Sequence, residues 1–100
     1  MSLMAKGYWI VTTTVTNPEG FDDYVKGFAP WVESVGGRLF AKDLDSKTVE
    51  GKGGHLGVIV EFASKQLAID AYEGEAYQEL SKLRWSNSTD ANITIVEGLS

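Results

Sequence analysis

The run from His55 to Phe62, HLGVIVEF, constrains this chain more than any other stretch. An unbroken β-branched apolar run this short reads as a strand buried on both faces, and the remaining elements must pack around it. One residue breaks the pattern: Glu61, a carboxylate between Val60 and Phe62.

The segments on either side supply partners for that strand. Gly7 to Val15 is aromatic, β-branched and Thr-rich and reads as a first strand. Tyr8, Ile10, Thr12 and Thr14 point one way and Trp9, Val11, Thr13 and Val15 the other, so neither face is plainly a solvent face. Asn17-Pro18-Glu19 then gives an N-cap, a proline at the first helical position and an acid in the first turn. The stripe Phe21, Tyr24, Val25, Phe28, Val32 and Val35 marks the first helix. Pro30 is expected to kink or restart it, and Gly36-Gly37 to end it. Arg38 to Leu44 reads as a second strand, with Lys47 to Glu50 a candidate continuation, and Gly51 to Gly54 as a flexible loop whose spacing matches no phosphate-binding motif. After the central strand Ser64 can cap a helix that Gly74 interrupts, and a further helical segment runs from about residue 75 to 85. Asn87 to Asn92 reads as a polar loop and Ile93 to Glu97 as the last strand.

Strand, helix, strand, strand, helix, strand is the split βαβ pattern of an α+β, ferredoxin-like βαββαβ sandwich with a four-stranded antiparallel sheet. The first and third strands are expected in the centre and both helices on one face. The other face still carries apolar side chains, more than a monomer would normally leave to water, so a homodimer paired through that sheet face is expected.

Composition narrows the function classes. A net charge of -5 leaves no basic footprint for nucleic acid or for an anionic membrane. With Cys absent and His55 alone, neither a disulfide framework nor a thiolate or His-rich metal site is available, and His55 in a glycine-flanked loop is a poor platform for haem, so no metal and no cofactor is expected. No run approaches the ~20 apolar residues of a membrane span, and the chain reads as cytoplasmic. Met1-Ser2-Leu3 ahead of Met4 reads as an appended leader, leaving residues 4–100 as a single domain.

Tyr8 to Val15, Pro18, Tyr24, Gly36-Gly37-Arg38, Glu50-Gly51, Val58 to Phe62, Ala68, Tyr77, Arg84 and Glu97-Gly98 together resemble the family called domain of unknown function 1330, across almost the whole chain. The resemblance implies membership of the dimeric α/β-barrel superfamily, in which ferredoxin-like protomers pair through their sheets. At superfamily level it implies kinship with cofactor-free monooxygenases, muconolactone isomerase and haem-dependent chlorite dismutase. The chain departs from the family pattern at Phe62-Ala63-Ser64, where a proline commonly follows the phenylalanine, and at Gly74-Glu75-Ala76-Tyr77, where Ser-Pro commonly precedes the tyrosine.

Glu61 is the candidate catalytic group: a carboxylate desolvated in a central strand is suited to proton abstraction. Its bland alternatives are an ion pair with Arg38, Lys42 or Arg84, or a place at the strand's exposed end. The candidate ligand-binding residues are Arg84, Tyr77, Tyr24, Arg38 and Trp31. Arg84 and Tyr77 share a helix stripe and can clamp a carboxylate or phenolate, although packing and a helix-end salt bridge explain them equally well. Gly36-Gly37-Arg38 reads as a helix stop rather than an anion site, and His55 as a surface histidine. Two function classes follow. One is a dimeric binding protein or cofactor-free enzyme acting on a small aromatic or carboxylated metabolite. The other is a non-catalytic dimeric binding or scaffold protein. A pocket with apolar walls that contains Glu61 or Arg84 favours the first, and a filled interior the second.

Overall fold

Trp9 fixes which side of the sheet becomes the core. In the computed structural model, which describes residues 5–99, its indole is 1% exposed and donates from Nε1 to the Ala68 carbonyl at 2.9 Å. Phe28, Trp31, Phe62, Tyr72 and Tyr77 surround it, with ring centroids 5.0 to 6.4 Å away. Because side chains alternate along a strand, the placement of Trp9 carries Val11, Thr13 and Val15 to the same face and sends Tyr8, Ile10, Thr12 and Thr14 to the other. The expected leader at Met1–Leu3 lies outside the described residues.

The elements in chain order are β1 (Gly7–Val15), α1 (Pro18–Ser34), β2 (Arg38–Asp43), β3 (Leu56–Phe62), α2 (Lys65–Glu73), α3 (Glu75–Asn87) and β4 (Ser88–Glu97). The sheet order is β2-β3-β1-β4, with every neighbouring pair antiparallel. This is the expected ferredoxin-like arrangement, with the first and third strands central. Ser64 caps α2 by accepting from the Leu67 amide at 3.1 Å. The α1 helix ends where the Gly37 amide returns to the Val32 carbonyl at 2.8 Å and Gly36 takes a φ of 76°, a conformation that a residue without Cβ adopts freely.

Four local expectations are corrected. Asn17 holds the N-cap position of α1, but its side chain donates to Asn87 Oδ1 at 3.0 Å instead of capping the helix. Pro30 does not restart α1, which runs through it unbroken from Pro18 to Ser34; it lies on the solvent side, where water can take the carbonyl that the proline leaves unpaired. Lys47 to Glu50 is not a strand but part of the irregular connection to β3, which turns at Gly51 with a φ of 82°. The polar run after Asn87 is not a loop either: β4 begins at Ser88, pairs Ser88 with Val15 and Thr89 with Thr14, and absorbs a register irregularity near Asp90, whose φ is 55°.

The sheet face away from the helices is mixed. Ile10, Ile59, Val96 and Phe40 share it with Thr12, Thr14 and Thr94, and Phe40, at the β2 bulge, is 52% exposed. Among the described residues no helix is long and apolar enough to cross a membrane.

Candidate functional site

The helices do not seal the sheet completely. A cavity of about 600 Å³ lies between α1 and the helix-facing side of the sheet, within the range usual for small-molecule pockets. The α1 stripe supplies its roof through Phe21, Tyr24, Val25 and Phe28, and Val11, Val58 and Val60 supply part of its floor. Exposed Asp22, Lys42, Leu44 and His55 also line it and mark the opening to solvent.

Three polar side chains meet inside. Tyr77 and Arg84 are seven residues apart on α3, two helical turns, which sets them on one face of that helix. The Tyr77 hydroxyl lies 2.7 Å from the Tyr24 hydroxyl presented by α1, and Arg84 Nε donates to Tyr77 Oη at 3.4 Å. Burial pushes the Tyr24 hydroxyl well above the ordinary tyrosine range, the charge and hydrogen bond of Tyr77 add to this, and the Arg84 cation opposes it without prevailing. Tyr24 therefore stays protonated and remains a donor.

Arg84 is the unusual member of this group. It is 3% exposed, yet it enters no ion pair among the described residues. Among the described residues its cation meets the Tyr77 oxygen and the Trp85 ring, whose centroid is 4.9 Å from the guanidinium carbon, with the Tyr24 hydroxyl close enough to feel its charge. No fully buried side-chain nitrogen or oxygen among the described residues lacks a partner, so the remaining guanidinium N–H groups border accessible space. Arg84 lines both the main cavity and a second one of about 240 Å³ behind it. A buried cation without a counter-ion costs several kcal/mol, and an anion entering the cavity would offset that cost. The inner end thus offers hydrogen-bond donors and positive charge, in surroundings suited to a carboxylate or phenolate. Among the described residues no three His, Asp or Glu side chains converge as metal ligands would.

The candidate residues separate into two groups. Tyr24, Tyr77 and Arg84 meet at the cavity. Trp31 does not line it; its ring is tilted against Tyr77 and Trp9, with centroids 4.9 and 5.7 Å away, and packs half-buried against the core. Glu61 and Arg38 lie on the opposite sheet face, because Glu61 pairs with Tyr8 in the register and shares its orientation. There Glu61 accepts from the Tyr8 hydroxyl at 2.9 Å and pairs with Arg38 Nε at 3.3 Å; its own side chain is 16% exposed and that of Arg38 65%. The hydrogen bond to Glu61 is the first cause holding the Tyr8 hydroxyl above its ordinary range. Glu61 does not line the cavity. Of the partners weighed for its ion pair, Arg38 is the one present.

Lys42 and His55 line the cavity without having been singled out for it. For Lys42 the signal was parity, since it pairs with Val58 on the helix-facing side; His55 precedes β3 and reaches the opening from the connection, which strand alternation does not predict.

A family model described as "Domain of unknown function (DUF1330)" matches residues 6–99. No curated protein matches the chain. Among solved structures, a Rhodopseudomonas palustris protein described as of unknown function superposes with a TM-score of 0.76 at 15% identity, over 96% of this chain and 84% of that one. A cofactor-independent oxygenase of Streptomyces nogalater gives 0.66 at 11% identity, over 96% and 95% of the two chains. A Bacteroides fragilis protein described as dimeric, with a ferredoxin-like fold, gives 0.56 at 11%, over 96% and 99%. At such identities these likenesses establish the ferredoxin-like fold.

Proposed function

The chain belongs to the DUF1330 family, and from that premise together with the cavity we propose that it binds a small aromatic or carboxylated metabolite, as a dimeric binding protein or cofactor-free enzyme. The observation that carries this reading is Arg84, a buried cation with no counter-ion among the described residues, bordering an open, apolar-walled cavity. Tyr24 and Tyr77 are the accompanying donors. The enzymatic half draws on the likeness to a cofactor-independent oxygenase. The alternative, a non-catalytic dimeric binding or scaffold protein, is favoured by the position of Glu61 on the far sheet face, which leaves the inner end of the cavity with donors and, among the described residues, no carboxylate base.

A thermal-shift screen of aromatic and carboxylated metabolites tests the binding reading. A ligand present at a hundred times its Kd stabilises the folded state by about 2.7 kcal/mol, worth about 10 °C or more in a domain of this size. The shift should vanish in Arg84→Gln. If no such compound stabilises the protein, or if the shift survives that substitution, the reading fails.

The proposed dimer pairs the sheet faces that carry Ile10, Ile59 and Val96. Sedimentation at micromolar concentration should give twice the chain mass, and Ile10→Lys should return it to one, because a buried unpaired ammonium is strongly unfavourable. A wild-type protein sedimenting at one chain mass refutes it.

A further inference from the structure

The floor of the cavity contains one straight row across the sheet. Ile93 faces Val11, Val11 faces Val58, and Val58 faces Lys42. All four line the cavity, which therefore runs across the strands rather than along them. Three inter-strand steps of ~4.8 Å make the row about 14 Å long between its outer backbones.

A cation stands at each end. Arg84 and Ile93 both border the main and the second cavity, which places the guanidinium at the Ile93 end of the row. Lys42 closes the other end at the sheet edge, exposed and in no ion pair among the described residues. The space between them is apolar, floored by Val11 and Val58 and roofed by the aromatic side of α1. Asp22 is the carboxylate at the opening, and it is already held by Lys26 at 3.0 Å. In a chain of net charge -5, a line with positive charge at both ends and apolar walls between is a local reversal of the protein's field.

Resting on the reading of Arg84 as an acid-binding residue, we infer that the ligand is a rod-shaped dianion: an apolar, aromatic or extended body with an acidic group at each end. The inner acid accepts from Arg84 and from the Tyr24–Tyr77 hydroxyl pair. The outer acid reaches Lys42 at the opening. Both cations are carried on long side chains, so the separation of the acidic groups need not equal that of the outer backbones of the row. The two ends differ in kind. The inner contact, to a cation that is 3% exposed, supplies affinity; the outer one, to an exposed lysine, supplies orientation and selection for the second charge.

Calorimetric titration with biphenyl-4,4′-dicarboxylate and biphenyl-4-carboxylate tests this inference. At low salt the dicarboxylate should bind roughly three- to fivefold tighter, the advantage an exposed ion pair supplies. Lys42→Gln should bring that ratio to about one, whereas Lys47→Gln, away from the cavity, should leave it unchanged. The advantage should also disappear near 1 M salt, where the screening length is about 3 Å. Equal affinity of the two acids for the wild-type protein, or a ratio untouched by Lys42→Gln, overturns the inference while leaving the acid-binding reading intact. Failure of both acids to bind overturns the two together.

Discussion

Arg84→Met keeps much of the apolar stem of the side chain and removes its charge. Three favourable contacts go with it. The hydrogen bond to Tyr77 is long at 3.4 Å and is worth about 1 kcal/mol at most. The stack on the exposed Trp85 ring contributes roughly 0.5 to 1 kcal/mol. The position in the last turn of α3, where a cation meets the negative end of the helix dipole, adds a few tenths. Against these stands the cost of keeping an ion that is 3% exposed with no counter-ion among the described residues, which is several kcal/mol even after relaxation. Tyr24 and Tyr77 still satisfy each other after the change. The balance predicts a variant more stable by about 1 kcal/mol or more and unable to bind the acid, as expected of a residue kept for function at the expense of folding. Urea denaturation followed by circular dichroism reads the first quantity, provided the slope of the transition is unchanged. Titration of any acid found to stabilise the wild type reads the second. A variant destabilised by about 1 kcal/mol or more that still binds the acid would make Arg84 a structural residue and refute the reasoning.

Three further outcomes follow from contacts described above. Glu61→Gln should lower the denaturation midpoint by the equivalent of about 1 kcal/mol, chiefly through the weakened bond from Tyr8, since the exposed Arg38 contributes little; acid binding should be untouched, and losing it would return Glu61 to the site. The Tyr24 hydroxyl is held above its ordinary value of 10.0, so its contribution to stability is complete below about pH 10 and declines as pH rises beyond it; Tyr24→Phe should therefore lose less stability than the wild type in strong alkali, and parallel pH profiles would contradict this. Gly54→Ala should cost about 3 kcal/mol, because a Cβ there overlaps the Thr13 carbonyl carbon and oxygen, both main-chain atoms of a central strand; a midpoint within error of wild type would mean that β1 can yield.

The β-branched runs of β1 and β3 and the order of the elements were enough to read the topology, because each local pattern agreed with the same global arrangement. Tyr77 and Arg84 were legible as a pair because helical spacing alone puts them on one face. The side of the sheet that Glu61 takes was harder to read. Its own strand held the answer: Leu56, Val58, Val60 and Phe62 are uniformly apolar, whereas the alternate set contains Gly57 and Glu61 and so turns away from the helices. The start of β4 was hidden because Ser88, Thr89 and Asp90 look like loop residues; their pairing with β1 depends on a bulge that a single sequence does not announce. The cavity itself is a gap between α1 and the sheet, set by the standoff of packed elements, and hydrophobic periodicity carries no measure of that distance.

Trp9 lines the cavity and is also the hub of the aromatic core. One wall of the cavity therefore cannot change without unsettling the fold, and if the cavity binds the proposed acid, an altered ligand preference has to arise elsewhere. Leu39, Lys42 and Leu44 border the same space from the edge strand and the segment after it, where every residue of the strand is exposed and little else depends on the side chain present. Selection can thus retune the rim of this cavity at small cost in stability, while the interior keeps one shape.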